Sequence, residues 1–526
     1  MKKANKRKYK FFKILFLSLF ILASTLFISL MIILRTEKGQ FKSAQLISNF
    51  FSKKIETRIT IQSAKFSFSD VTLNNIKIFD HEDSIMIYCP DAKIVYKNFR
   101  QSPGKLKFHL LTFNQTYVNF VRHSRDQLFN FQYVIEKIKN RKKGGNNQII
   151  IFDDIIVTNS VMRYYEPPNK EIKGKTDYQD LYLMNVNVKL SEFIVDGQRV
   201  ESSIDSANFM DKSGLVLNQL NGKLLIDSNE FSFNDISFFP GESEFYGDFG
   251  FHFPAYNAFK DFVNLVTIKS DLHDSRLKIT DLEYFSGSLR THEKDIFIDG
   301  EAEGTVTDMR SKHIILKFGK GSAYSGAVRM TGLPDINETL LDFDVKNLDI
   351  SFRDIHSLIP SIDFPDYFYE SGMLTFIGRY TGFINDFVAY GNLYTPFGEI
   401  ESDINLKIPA KSGKPKYSGN LSLISFSLGQ FTGQEELLGK VNMDGHISGE
   451  GLSLEDIQAN IKANASYIDF NKYRYSDLSL NGILTNKQFK GGVLVNDKNL
   501  AMDFNGTIDL SQAKPLYNFK ADIKNT

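Results

Sequence analysis

The chain has 526 residues, and its 63 lysines and arginines are balanced by 62 aspartates and glutamates, which excludes the electrostatic pull on nucleic acid or anionic substrates that a strongly charged chain exerts. Its 47 Phe and 23 Tyr, with no Trp, favour pleated, half-buried surfaces and so a mostly β fold. The single cysteine excludes an intramolecular disulfide, and Cys89, in the apolar run IMIYCP, reads as a small buried hydrophobe rather than a reactive thiol.

In chain order the first element is residues 14–34, ILFLSLFILASTLFISLMIIL, with no charge, proline or glycine across 21 positions. As a helix it spans roughly 31 Å, matching the roughly 30 Å hydrocarbon core of a bilayer. Lys2, Lys3, Lys6, Arg7, Lys8, Lys10 and Lys13 precede it, and only Arg35, Lys38 and Lys42 follow closely, so residues 1–13 are expected to be a cytoplasmic tail. The competing reading, a cleaved secretory signal, needs a shorter apolar core and a small-x-small site, whereas large residues here continue to Leu34. Next, Phe41, Ala44, Ile47, Phe50 and Phe51 recur at helical spacing opposite Lys42, Ser43, Ser48, Asn49 and Lys53, predicting an amphipathic helix that either packs over a sheet or lies on the membrane.

From Arg58 onward the period becomes two. RITIQSAKFSFSDVTLNNIKIFD alternates apolar and polar residues, and so do LKFHLLTFNQTYVNFV, LYLMNVNVKL, GNLYTPFGEIESDINLKI, YSGNLSLISFSL and GGVLVNDKNLAMDFNGTIDL. Only 127–140, 256–266 and 354–359 read as helical, too few to serve as crossovers of a parallel α/β sheet. The joints are placed at 139–148, 166–177 and 409–416, and the first divides a region 35–140 from a β region 148–526.

A pattern of apolar-x-apolar-x-Asp-apolar-x-apolar recurs in FSFSDVTL (66–73), IIFDDIIV (150–157), FSFNDISF (231–238), LKITDLEY (277–284) and YRYSDLSL (473–480). The apolar pairs before and after Asp differ in parity, so a regular strand would send them to opposite faces, and a bulge or corner at Asp is expected to restore one face. No constellation for chemistry emerges. The nine histidines form no local metal-ligand pair, GKGS at 319–322 lacks the rest of a phosphate loop, and no nucleophile elbow or calcium loop is present. No catalytic, metal or cofactor residue is assigned, and no enzyme is expected.

The runs SGAVRMTGLPDINETLLDFDVKNLDISFRDIHSLIP (325–360), SGMLTFIGRYTGFINDFVAYGNLYTPFGEIESDINL (371–406) and LLGKVNMDGHISGEGLSLEDIQANIKANASYIDFNKYRYSDLSLNG (437–482), with the anchor and ITIQSAKFSFSDVTLNNIKIFD, resemble Bacteroidota members of the translocation and assembly module family TamB, among the AsmA-like proteins. The resemblance implies an inner-membrane anchor and an AsmA-like N-terminal region. It also implies an elongated, partly open periplasmic β-sheet groove, of the β-taco kind, that conducts phospholipids towards the outer membrane. Such proteins are usually longer, so engagement of an outer-membrane β-barrel partner would need a C-terminal region or a second protein, and the chain reads as either a fragment or a shortened relative. Groove candidates are Phe66, Phe68, Ile76, Ile78, Phe231, Phe233, Phe376 and Tyr380, each equally compatible with ordinary core. The alternative function is an envelope scaffold that assembles outer-membrane proteins by strand addition.

Overall fold

A computed structural model of the chain describes residues 18, 20–22, 24–26, 28–29, 32–96, 100–102, 104–124, 127–134, 149–167, 177, 179–284, 295–358, 364, 366–409, 413–451, 456–511 and 514–525. The expected tail at 1–13 and joint at 139–148 lie outside these residues, as does most of 166–177. The protein is mostly β, with 28 strands and a few short helical segments among the described residues. Two compact units are present, Met1–Asp248 with Lys278–Thr291, and Phe249–Leu277 with His292–Thr526.

In the first unit, β1 (Ile59–Thr60) and β2 (Ser63–Phe66) both pair with β3 (Asp70–Phe79), which pairs with β4 (Ile85–Val95). β5 (Arg100–Ser102) pairs with β6 (Lys105–Asn114), and β4 pairs with β6 and with β7 (Tyr117–Val121). β6 and β7 then run parallel to β8 (Ile149–Tyr165), so the strands on either side of 139–148 are hydrogen-bonded to one another. β9 (Asp180–Asp196), β10 (Arg199–Asp211), β11 (Val216–Ile226) and β12 (Glu230–Pro240) continue as antiparallel neighbours, and the next strands in the chain, β13 (Phe245–His252) and β14 (Thr267–Lys278), are divided between the two units. Cys89 is buried, and its thiol is pushed up by that burial, which keeps it protonated and inert.

Among the described residues no helix is long and apolar enough to cross a membrane. The expected span at 14–34 is described only in part; residues 18, 20–22, 24–26, 28–29 and 32–34 are helical there. Phe20, Leu26 and Ile32 are exposed, and the hydroxyls of Ser24 and Thr25 donate back to the carbonyls of Phe20 and Ile21, 2.7 and 2.9 Å away. Thr36 is extended (φ −70°, ψ 151°) and caps the next helix, Glu37–Ile55, by accepting from the amide of Gly39 at 3.1 Å. A Cβ at Gly39 would lie 1.9 Å from the carbonyl oxygen of Ile33, so the chain turns an elbow there that only glycine permits.

The helix meets the sheet through a different face from the one its pattern predicts. Ala44 and Ile47 do join the cluster formed with Ile59, Ile61 and Ala64, but Phe41, Phe50 and Phe51 are exposed while Ser43 and Ser48 are buried. Small side chains let the helix axis approach the strands closely, and its hydroxyls serve the short strand β1. Ser48 Oγ donates to the Ile59 carbonyl, and Ser52 Oγ accepts from the Ile59 amide at 2.9 Å.

The second unit contains a meander of antiparallel hairpins: β15 (Asp295–Thr305), β16 (Asp308–Phe318), β17 (Ser322–Thr331), β18 (Leu340–Ser351), β19 (Met373–Phe383), β20 (Asp386–Thr395) and β21 (Gly398–Lys407). It continues through β22 (Lys416–Ser427), β23 (Leu438–Glu450), β24 (Gln458–Phe470), β25 (Tyr473–Thr485), β26 (Gln488–Asp497), β27 (Leu500–Asp509) and β28 (Leu516–Asn525). Of the expected helices, 354–359 is observed as Phe352–Leu358, 256–266 is a 3-10 turn Tyr256–Asp261 followed by Phe262–Leu265, and 127–140 is described only to 134, with 130–134 helical. Ile279–Tyr284, Asp366–Glu370 and Leu428–Thr432 are further helical segments that alternation concealed.

The corners expected at Asp are found at Asp235 and Asp477, each left-handed at φ 53° inside a strand. Asn75, Asn159, Asn185, Glu192, Asp274 and Ser425 adopt the same conformation within strands, whereas Asp70 opens β3, Asp154 stays regular and Asp281 lies in the helical segment Ile279–Tyr284. A shared device satisfies the amide that such a residue pulls out of the ladder. A side-chain oxygen from the next strand accepts it: Asn187 for Asn159 at 2.9 Å, Asp248 for Asp235 at 2.8 Å and Asn442 for Ser425 at 2.5 Å. Replacing Asp477 by valine should cost about 1–2 kcal/mol in chemical denaturation, because a β-branched residue resists the left-handed region, while Asp477→Gly should be close to neutral.

Asp497 closes β26 and gathers the amide of Asn499, the hydroxyl and amide of Ser476 and the hydroxyl of Tyr473. These donors, that of Asn499 foremost, hold its carboxyl at about 2, below its ordinary 3.8. A depressed carboxylate stabilises the fold above its unfolded pKa and loses that contribution as pH falls through the folded value. The stability deficit of Asp497→Asn, read from thermal unfolding, should therefore be present at pH 6 and shrink as pH drops from about 4 to about 2.

Candidate functional site

Strand register in the second unit builds one continuous feature. Following paired residues from β15 to β28 gives the row Ile298, Leu316, Tyr324, Leu348, Phe376, Leu393, Ile400, Leu423, Met443, Ala465, Leu478, Val495, Met502 and Ile523. Every member is apolar or aromatic. Thirteen steps of about 4.8 Å make the row roughly 62 Å long, measured along the sheet.

Beside it on the same face runs a second row, which includes Gly300, Gly326, Gly378, Gly391, Ser402, Gly445 and Ala463 among larger residues such as Val345 and Leu421. Gly378 and Gly391 face each other, and a Cβ on Gly391 would lie 2.3 Å from the Ile377 carbonyl oxygen. Next comes a row with Phe343, Tyr380, Ala389, Ile404, Ile447 and Ile461, in which Tyr380 stacks between Phe343 and Phe387 at 5.5 and 4.5 Å. Small residues thus leave shallow dips in the second row at Gly378, Gly391 and Ser402 and at Gly445 and Ala463, separated by Leu421 and flanked by Val345 and Leu480.

The opposite face carries the charged residues, with Ile377, Val388, Ile483 and Leu494 exposed among them. Asp344, Arg379, Tyr390, Asp403, Asn420, His446 and Lys462 are successive partners there, and Arg379 grips Asp342 through two bonds of 2.9 and 2.7 Å. On the apolar face even the phenols are withdrawn: Tyr380 and Tyr324 donate to the carbonyls of Phe383 and Ala327, at 3.0 and 2.8 Å. Burial pushes the Tyr380 phenol up to about 12 and raises that of Tyr324 as well, so neither brings charge to this face.

A closed sandwich would bury the apolar row completely. Here only Tyr324 and Val495 are buried, Ile523 is exposed, and the other eleven members are half-buried. One end of the face is covered over its middle strands by Phe352–Leu358, Asp366–Glu370 and Leu428–Thr432. There Phe352, Phe368, Leu374, Phe397, Phe426 and Val441 form a buried cluster against Leu393, Ile400, Leu423, Met443 and Ala465.

Asp354 pins this cover to the turn before β17. It is 1 % exposed and accepts from the Lys320 amide at 3.2 Å and the hydroxyls of Ser322 and Ser351 at 2.7 and 2.9 Å. Asp281 does the same in the first unit, accepting the amides of Glu242 and Ser243 and the Ser243 hydroxyl at 2.9, 2.7 and 2.6 Å.

Of the sequence candidates, Phe376 lies in the apolar row and Tyr380 two rows away on the same face. Phe66, Ile76 and Ile78 pack against the cluster under the helix Glu37–Ile55, and Phe68 sits 69 % exposed in the turn between β2 and β3, beneath the Arg35 guanidinium at 5.2 Å. Phe231 and Phe233 are half-buried in β12, opposite Ile226 and Leu224. Sequence reasoning missed the other members of the row because alternation locates a strand without saying which residue of the next strand stands opposite. Among the described residues, no group of three His, Cys, Asp or Glu could hold a metal ion. No family model, curated protein or solved structure matches the chain.

Asp354→Ala would orphan the donors gathered in the turn and should destabilise the cover by about 3 kcal/mol. Hydrogen exchange should report this as faster opening of 352–358 and 428–432, with strands β25 to β27 unaffected.

Proposed function

We propose that the protein is a non-enzymatic lipid carrier of the bacterial envelope, anchored in the inner membrane through residues 14–34, with its β units in the periplasm. Acyl chains of phospholipids would lie on the apolar face of the second unit and move along it towards the outer membrane. The observation that carries this reading is the fourteen-strand apolar row, half-buried over most of its length. Water in contact with such a face is unfavourable by roughly 25 cal/mol per Å², and an acyl chain removes that contact without needing directional bonds.

The dimensions fit. One leaflet contributes about half of the roughly 30 Å hydrocarbon core, and the two stretches of the row outside the covered middle, Ile298 to Phe376 (roughly 19 Å) and Leu478 to Ile523 (roughly 14 Å), each accommodate about one acyl-chain length. The rows beside it are apolar as well, and the phenols of Tyr380 and Tyr324 stay neutral, so an acyl chain meets no charge on this face. The exposed apolar side chains of the described helical residues within 14–34, such as Phe20, Leu26 and Ile32, and the resemblance to the TamB and AsmA-like proteins agree with the same assignment.

The experiment compares Leu480→Arg with Asn481→Arg, neighbours in β25 whose partners, Val493 and Gly492, lie on opposite faces of the sheet. Full-length Leu480→Arg should lose most of the phospholipid that copurifies with the wild-type chain and most of the lipid crosslinks formed from a photoreactive residue at Leu478. Asn481→Arg should retain both. Equal lipid on the two variants, or crosslinks to unfolded outer-membrane proteins in place of lipid, would reject the carrier reading, and the second result would favour the scaffold.

A further inference from the structure

We propose that the helix Glu37–Ile55 and the neighbouring turn between β2 and β3 form a second membrane contact, lying in the headgroup layer of an anionic bilayer. This rests on the reading of residues 14–34 as a membrane anchor, and it assigns a lipid-surface site to side chains beyond that anchor.

Three observations meet at this place. The helix meets the strands through Ala44, Ile47, Ile55 and its serines but leaves four large apolar residues outside: Phe41, Leu46, Phe50 and Phe51 are 52, 71, 59 and 45 % exposed. Leu46 and Phe50 share the outward side of the helix, and a globular protein gains nothing by exposing them there.

Charge complementarity identifies the occupant. Residues 35–56 contain the five cations Arg35, Lys38, Lys42, Lys53 and Lys54 and the two anions Glu37 and Glu56, and aromatic and leucine side chains interleaved with lysines are the composition that binds an anionic lipid surface. A protein partner of ordinary composition would not call for that excess of cations.

Geometry supplies the third. The extended Thr36 and the close approach of Gly39 to the Ile33 carbonyl end the preceding helix and start the next one in a new direction. The second helix therefore departs from the axis of the first at the level where the apolar run stops. At that same level Arg35 reaches over the ring of Phe68, 5.2 Å from its centroid, bringing an exposed aromatic of the sheet beside the first basic residue after the anchor. Aromatic rings beside cations are suited to the membrane–water boundary.

The chain has no tryptophan, so a single introduced Trp reports its own surroundings. Full-length variants are reconstituted into phosphatidylglycerol-containing vesicles carrying lipids brominated either near the headgroup end or near the methyl end of the acyl chain. Phe50→Trp and Phe68→Trp should lose most of their emission to the shallow quencher, Ile28→Trp to the deep one, and Tyr390→Trp, on the polar face of the second unit, to neither. If Ile28→Trp is quenched while Phe50→Trp and Phe68→Trp are not, the second contact is overturned and the anchor stands. If none of the three is quenched, the anchor falls and the second contact with it. Equal quenching of Phe50→Trp in phosphatidylcholine vesicles would overturn the assignment to an anionic surface.

Discussion

Cross-strand register is the constraint on which the rest of this structure depends. A β side chain has only two directions available, so a slip of one residue in any hairpin of the second unit would turn that strand's apolar set to the polar side and break the row. Tight turns hold the register: Gly382↔Phe387, Thr395↔Gly398 and Thr485↔Gln488 set the count for the hairpins that follow. The opposite face reinforces it with cross-strand pairs such as Arg379 with Asp342, which contribute little energy each but match only one alignment.

Where the sequence breaks parity, the backbone repairs it. Val345 and Leu348 are three residues apart, yet both reach the apolar face, because β18 carries an extra residue between their partners Gly378 and Phe376. In β22, Leu423 and Phe426 are matched in the same way around the left-handed Ser425. Each repair withdraws a backbone amide from the ladder, and a borrowed Asn or Asp oxygen from the neighbouring strand offsets the loss at several of them. The apolar face is thus continuous in space although it is discontinuous in the sequence of each strand.

Much of this was legible beforehand, and the boundary of legibility has a physical origin. Period-two alternation in YSGNLSLISFSL or GGVLVNDKNLAMDFNGTIDL follows from one half-buried face, so strands and their apolar residues could be named. Asp as a corner was correct at Asp235 and Asp477, whose conformation is a local property. The corners at Asn75, Asn159 and Ser425 escaped because several polar residues tolerate the same conformation and no fixed motif surrounds them. The helix Glu37–Ile55 was found by period, but its buried face was misjudged: spacing reports which residues share a side, whereas Ser48 and Ser52 face the sheet because they serve the backbone of Ile59. The row across strands was out of reach, since its successive members are 7 to 28 positions apart and meet only through turn geometry.

Because each strand gives the row a single residue, the length of the apolar path is counted in hairpins. Inserting or deleting one pair of strands would change the path by about 9.6 Å and leave every other register untouched. Such a molecule can be matched to a gap of any width by duplication alone, with no redesign of the surface that the cargo meets. Reach and chemistry are thereby separate inheritable properties of the same sheet.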